Sequence, residues 1–200
     1  MLTRAPAILL SSRPQGETGV LARFFTEDFG LVAAYVAGGR GRLLRPVLIP
    51  GNLVELQLTA RPGGQLPFAK PELTLSRGPS IGEPLPAAAI TWVCALTASV
   101  LPERHAYPAL FSALGGVLDA VASAPSAREW AGGLVAYEML LLRDLGYGGQ
   151  GRRPTGDLAE VMAAMDALAP ALDHYLLAGN RADVMAARHR LRELLGRIDT

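Results

Sequence analysis

The feature that most constrains this chain is a change of period near residue 80. Before it, short apolar runs alternate with turn signals. After it, apolar residues recur at helical spacing. The early runs are Ala5–Leu10, Val20–Thr26, Leu31–Ala37, Leu53–Thr59 and Leu73–Ser76. Between them lie Arg13-Pro14-Gln15-Gly16, Asp28-Phe29-Gly30, Gly38-Gly39-Arg40-Gly41, Pro50-Gly51-Asn52 and Pro62-Gly63-Gly64. Gly and Pro in such clusters end strands and turn the chain. The fourth run alternates cleanly: Val54, Leu56 and Leu58 take one face, and Glu55, Gln57 and Thr59 the other. That is the period of a half-buried strand. Five short strands in so short a stretch fit a small barrel such as the OB-fold. An SH3-like barrel gives the same pattern.

The segment from Arg77 to Pro84 reads as a linker. Beyond it, Tyr107, Leu110, Phe111, Leu114, Val117, Leu118 and Val121 follow i, i+3, i+4 spacing, as do Leu134, Tyr137, Leu141 and Leu145. Leu85–Leu101 reads as a buried core helix rather than a span, because a span needs about 20 predominantly apolar residues. Gly146, Gly148 and Gly149 stop the helix before them, and Asp157 caps the next, with Glu160 as its capping-box partner. Pro170 breaks that helix. Asn180 caps the last one, whose apolar face is Val184, Ala187, Leu191, Leu194 and Ile198. The expected fold is α+β: a five-stranded OB-like barrel over residues 1–80, then an all-helical domain over 81–200.

Composition narrows the chemistry. Cys94 is the only cysteine and there are three histidines, so neither a disulfide framework nor a multi-cysteine zinc site is available. No cofactor is expected. Gly146 to Gly151 matches G-x-G-x-x-G in spacing, but it follows a helix, whereas a dinucleotide fingerprint follows a strand and opens a helix. Lys70, the only lysine, lies between Ala69 and Pro71, so there is no Walker A loop. No G-x-S-x-G or H-E-x-x-H occurs, and Asp173-His174 reads as a surface helix pair. Nothing here calls for an enzyme.

The formal net charge is +1, but it is unevenly spread. Residues 1–80 carry nine cations against five acids, and residues 81–200 ten against thirteen. A nucleic-acid surface would therefore lie in the first part. Arg40, Arg42 and Arg45 follow a glycine turn, and no acid lies between Asp28 and Glu55. Such a loop can present backbone N–H groups and guanidinium forks to phosphates. Arg23 and Arg13 are candidate flankers, and Tyr35 is a candidate ring for base stacking. A solvated loop and core rings are the competing reading. Arg181, Arg188, Arg190, Arg192 and Arg197 make the last helix basic. Arg188 and Arg192, four residues apart, are candidates for partner binding.

Several pieces, in order, resemble the RecO family of bacterial recombination mediators. Gly16-Glu17, the run from Phe25 to Gly30 and the Gly/Arg loop resemble its N-terminal domain. Leu101-Pro102-Glu103-Arg104, Leu110-Phe111 with Leu114, and the run from Tyr137 to Tyr147 resemble its helical domain. The resemblance covers roughly residues 1–148. It implies an OB-fold joined to a helical domain, and a cytoplasmic, nucleoid-associated protein of the RecFOR pathway. It also implies binding of single- and double-stranded DNA, annealing of complementary strands and help in loading recombinase. The partners it implies are RecR and the C-terminal tail of single-stranded-DNA-binding protein, with no membrane. Many family members carry a four-cysteine zinc module after the Leu-Gly-Tyr stretch. Gly148 to Pro154 here has no cysteine, so this chain resembles the zinc-free branch. The alternative is a protein-interaction adaptor whose barrel does not bind nucleic acid.

Overall fold

The computed structural model describes residues 2–60, 62–148, 154, 157–178 and 182–198. Five strands, β1 (Leu2–Gln15), β2 (Gly19–Thr26), β3 (Gly30–Val36), β4 (Leu53–Thr59) and β5 (Phe68–Leu75), close a barrel in the order β1-β2-β3-β5-β4. The β3–β5 pairing is parallel and consists of Tyr35 against Phe68; all other pairings are antiparallel. The helices are α1 (Gly78–Ile81), α2 (Pro84–Val100), α3 (Pro108–Ser123), α4 (Ala127–Asp144), α5 (Leu158–Ala171) and α6 (Ala182–Gly196). The chain divides into two compact units. One holds Met1–Pro79 with Thr97–Phe111, and the other holds Ser80–Leu96 with Ser112–Thr200.

Strand β1 closes the barrel by serving two neighbours. Leu2 to Ile8 pair with β4, Ala7 to Gln15 pair with β2, and an irregularity between Leu9 and Ser11 bends the strand between them. Inward positions alternate small and large, as a narrow barrel requires. Ala7, Ala22, Ala34 and Ala69 leave room for Leu9, Phe24, Val36 and Leu56. Leu48 plugs one end, with Leu44 and Val47 beside it.

β1 and β5 are longer than expected, because Pro14 and Pro71 did not stop them. Proline removes a donor from only one side of a strand. Pro14 pairs with Val20 of β2 and lies beyond the last β4 partner, Ile8. Pro71 pairs with Leu56 of β4, beyond the single β3 contact at Phe68.

The segment Thr97–Phe111 straps the barrel from outside. Glu103 bridges to Leu31, the Arg104 N–H donates to the Leu31 carbonyl (2.9 Å), and the Phe111 ring meets Phe25 edge-on at 5.6 Å. The fit demands glycine at position 30. Its φ is +67°, and a Cβ there would overlap the His105 backbone carbonyl. The expected linker is not free either. Arg77 is buried, and its N–H donates to Asn52 Oδ1 (2.7 Å).

In the helical unit, α4 ends as expected at Gly146, in a Schellman arrangement. The Tyr147 N–H donates to the Leu142 carbonyl, the Gly146 N–H to that of Arg143, and Gly146 has φ +87°. The expected role of Gly149 lies outside the described residues. The Asp157 side chain caps α5 by accepting from the Ala159 N–H (2.9 Å). Pro170 does not break α5. It sits in the last turn, and the chain continues as a π-helical turn, Leu172–Leu176. The wider turn suits a position whose N–H is missing. Asn180, the expected cap of α6, lies outside the described residues. Among the described residues, no helix is long and apolar enough to cross a membrane.

Gly30→Ala is expected to destabilise the chain by roughly 1–3 kcal/mol from backbone strain alone, with the His105 clash added. Urea unfolding of the full chain checks this, and an unchanged midpoint would contradict the strap geometry.

Candidate nucleic-acid interface

The Arg loop connects β3 to β4, and it is a built turn rather than a slack one. Leu44 and Arg45 N–H groups donate to the Gly41 carbonyl, and the Leu48 N–H donates to that of Leu44 (2.9 Å). At its far end the buried Asn52 side chain donates to the carbonyls of Pro46 and Val47, both at 2.9 Å. At its near end the Arg40 N–H donates to the Thr18 carbonyl (3.1 Å), which ties the loop to the β1–β2 turn.

Arg40, Arg42 and Arg45 are all exposed at this end of the barrel. Arg40 Nη1 donates to the Glu17 carbonyl (2.8 Å), and Arg45 Nε to the Arg40 carbonyl (2.9 Å). Carbonyl partners orient a guanidinium without cancelling its charge. Among the described residues none of the three is in an ion pair. Glu27 and Asp28 follow the opposite end of β2.

Beside the loop, a row of side chains crosses the outer face of the sheet. Strand register places Arg13 opposite Leu21, Leu21 opposite Tyr35, and Tyr35 opposite Phe68. Directly paired residues share a face. Arg13 is exposed, Tyr35 half-buried, and Phe68 is 39% exposed. The Tyr35 and Phe68 rings meet edge-on at 5.7 Å. Tyr35 lies over Gly19, where any Cβ would overlap the phenol, so glycine is what lets the ring lie flat beside the turn that Arg40 holds. Arg40, Arg42, Arg45, Arg13 and Tyr35 thus share one end of the barrel. Phe68 was missed because Pro67 and Pro71 disguise the start of β5.

Arg23 stands apart. It is one row further along β2, with Nη1 donating to the Ala98 carbonyl and Nη2 paired with Glu103 at 3.2 Å. It fastens the strap, and its charge is already answered.

The two last-helix candidates have other roles. Arg188 is not a rim residue: it is 2% exposed and forms a bidentate pair with Glu138, from Nε to Oε1 (2.9 Å) and Nη2 to Oε2 (2.8 Å). Its Nη2 also donates to the Met165 carbonyl, and Trp92 Nε1 donates to Glu138 Oε1 (2.8 Å). The buried face of α6 is accordingly Val184, Met185, Arg188, Leu191 and Leu195, rotated from the expected stripe, and Ile198 is exposed. Glu138, an acid inside the apolar run of α4, was the signal that a buried cation would come to meet it. Arg192 pairs bidentately with Asp166 at 2.8 Å. Those hydrogen bonds hold the Asp166 carboxyl below its ordinary value, against an opposing effect of burial. Arg190 pairs loosely with Glu193, and Arg181 lies outside the described residues. The helical unit also carries Tyr147 stacked on Tyr175 at 5.3 Å, both about half exposed, which the sequence did not announce.

Among the described residues, no three His, Cys, Asp or Glu side chains are placed to hold a metal ion. What the site offers is uncompensated arginine beside exposed ring faces, which is surface chemistry for a phosphate chain and its bases.

The fold and this surface define a class: an OB-type barrel with a basic loop, followed by a helical unit. Residues 1–75 match the family model "Recombination protein O N terminal", and residues 84–152 match "Recombination protein O C terminal". The chain belongs to the RecO family. It is 41% identical over 143 residues to DNA repair protein RecO of Rhodospirillum centenum, covering 71% of this chain and 56% of that protein. It is 40% identical over 146 residues to the protein of that name from Ruegeria sp., covering 72% and 59%. With that of Caulobacter vibrioides the identity is 39% over 144 residues, covering 71% and 58%. The chain thus spans little more than half the length of the curated relatives it matches.

Two outcomes test the helical-unit assignments. Glu138→Gln leaves the Arg188 charge buried without its counter-charge and is expected to cost about 3–5 kcal/mol in urea unfolding. Asp166→Asn is expected to cost under about 1 kcal/mol at pH 7, because the pair is exposed. The folded-state pKa of Asp166 is depressed, so its contribution is present above the ordinary value of 3.8 and is lost as pH falls through the lower folded value. The difference between wild type and variant should therefore shrink in acid and persist above pH 5; a pH-independent difference would contradict the pairing.

Proposed function

We propose that this chain acts in DNA repair and recombination as a mediator. It binds single- and double-stranded DNA through the barrel, anneals complementary strands, and helps load recombinase onto DNA coated with single-stranded-DNA-binding protein. The observation that carries the reading is the set Arg40, Arg42 and Arg45, which has no acid partner among the described residues, at the barrel end that also presents Arg13, Tyr35 and Phe68. Membership in a family whose relatives are named DNA repair proteins supports it. The chemistry is binding alone. Guanidinium forks neutralise phosphate repulsion between two strands, and Tyr35 and Phe68 offer faces to unpaired bases. RecR and the acidic tail of single-stranded-DNA-binding protein are the proposed partners. Arg188 is spent inside the core, so a rim for that tail would draw on exposed arginines such as Arg104 or Arg143.

The test is a fluorescence-anisotropy titration of labelled single-stranded DNA, with wild type and the Arg40→Ala/Arg42→Ala/Arg45→Ala triple variant. Three phosphate contacts give a log–log salt slope of about −2, or roughly a twenty-fold loss of affinity between 50 and 200 mM salt. The folded triple variant is expected to lose most of that slope. Equal binding by both proteins would move the interface elsewhere. No binding by wild type at low salt would leave the adaptor reading.

A further inference from the structure

The Arg loop carries a residue that phosphate binding does not use. Leu43 is 88% exposed, whereas the other large exposed apolar side chains are 39–49% exposed. It stands between Arg42 and Arg45, and its neighbour Leu44 turns the other way and packs against the barrel core with Val47 and Leu48. The loop cannot readily fold over it. The Gly41–Leu48 hydrogen bonds, the Arg45–Arg40 bond and the Asn52 clamp fix the turn with Leu43 at its tip.

Resting on the DNA-binding reading, we propose that Leu43 is an apolar wedge that enters between adjacent bases of the bound strand while Arg42 and Arg45 hold the phosphates on either side. Small apolar side chains on cation-rich elements part base steps in this way. The charge pattern selects the occupant: an apolar slot flanked by anions, which is what two neighbouring nucleotides present. A lipid surface fits less well, because Leu43 is a single exposed side chain. Membrane insertion draws on a broad apolar face, and here the neighbouring Leu44, Val47 and Leu48 pack on the barrel. A protein interface fits less well too, since its centre buries a contiguous apolar patch and Leu43 stands alone at the tip of its turn. Parting a step is easiest where stacking is already interrupted, so single strands and single-strand–duplex junctions are the substrates of the wedge. A strand held with its bases parted is also one whose bases are available to a complement.

The experiment uses the full chain and a single-stranded oligonucleotide with one internal 2-aminopurine, whose emission rises when its neighbours unstack. Wild type is expected to raise the emission on binding. At saturating protein, Leu43→Ala is expected to keep the salt slope, measured by anisotropy, because the phosphate contacts remain, but to lose the rise, and Leu43→Met to restore it. An equal rise with Leu43→Ala would overturn the wedge, as would binding by wild type with no rise. Leu43-dependent co-sedimentation with anionic phospholipid vesicles, with the DNA emission unaffected by Leu43→Ala, would overturn it in favour of a lipid surface. Failure of wild type to bind DNA at all at low salt would sink the reading beneath it, and that outcome is distinct from the other three.

Discussion

The barrel depends on one strand satisfying two partners. If β1 ran straight, its inward side chains could not serve both β4 and β2, and the sheet would stay open. The bend between Leu9 and Ser11 resolves this, and the Leu9 N–H and carbonyl then pair with the Asn52 carbonyl and the Gly51 N–H at 2.9 and 2.8 Å. From there Asn52 reaches in two directions, with its amide to the Arg loop and its carbonyl oxygen to Arg77. A closed barrel therefore dictates the position of the loop that gives the surface its charge. The loop inherits the rigidity of the core instead of paying for its own order at the moment of binding.

The helical unit is organised around a buried charge pair. Glu138 and Arg188 are both nearly inaccessible, and each is further satisfied, one by Trp92 and the other by the Met165 carbonyl. Such a pair adds little net stability over a well-packed apolar substitute, but leaving half of it is costly. It ties residues of four helices, α2, α4, α5 and α6, at one point. Shifting α6 by one turn would strand both charges.

The strands with clean alternation and glycine boundaries were legible in the sequence: β2, β3 and β4 fall within a residue of expectation. The ends of β1 and β5 were not. Proline at Pro14 and Pro71 reads as a stop unless one knows which side of the strand is unpaired, and that is a property of the closed sheet. The Arg loop was legible because charge and glycine cluster locally in it. The fate of Arg23, Arg188 and Arg192 was not, because each is decided by an acid far off in sequence: Glu103, Glu138 and Asp166. Periodicity placed Arg188 on a polar face. The burial of Glu138 moved it inside.

The strap has a consequence for how the chain can be dissected. The barrel unit is discontinuous: it ends at Pro79 and resumes at Thr97–Phe111. A fragment cut between the two family-matched segments would keep all five strands but lose the ring over Phe25 and the carboxylate on Arg23. Its surface would expose the Arg23 guanidinium and the Phe25 ring, both on the outer face of β2. Such a fragment would therefore be a poor stand-in for the surface of the intact chain. The same order applies during synthesis: all five strands leave the ribosome before the segment that covers them, so the nascent barrel passes through a stage with the Phe25 ring bare.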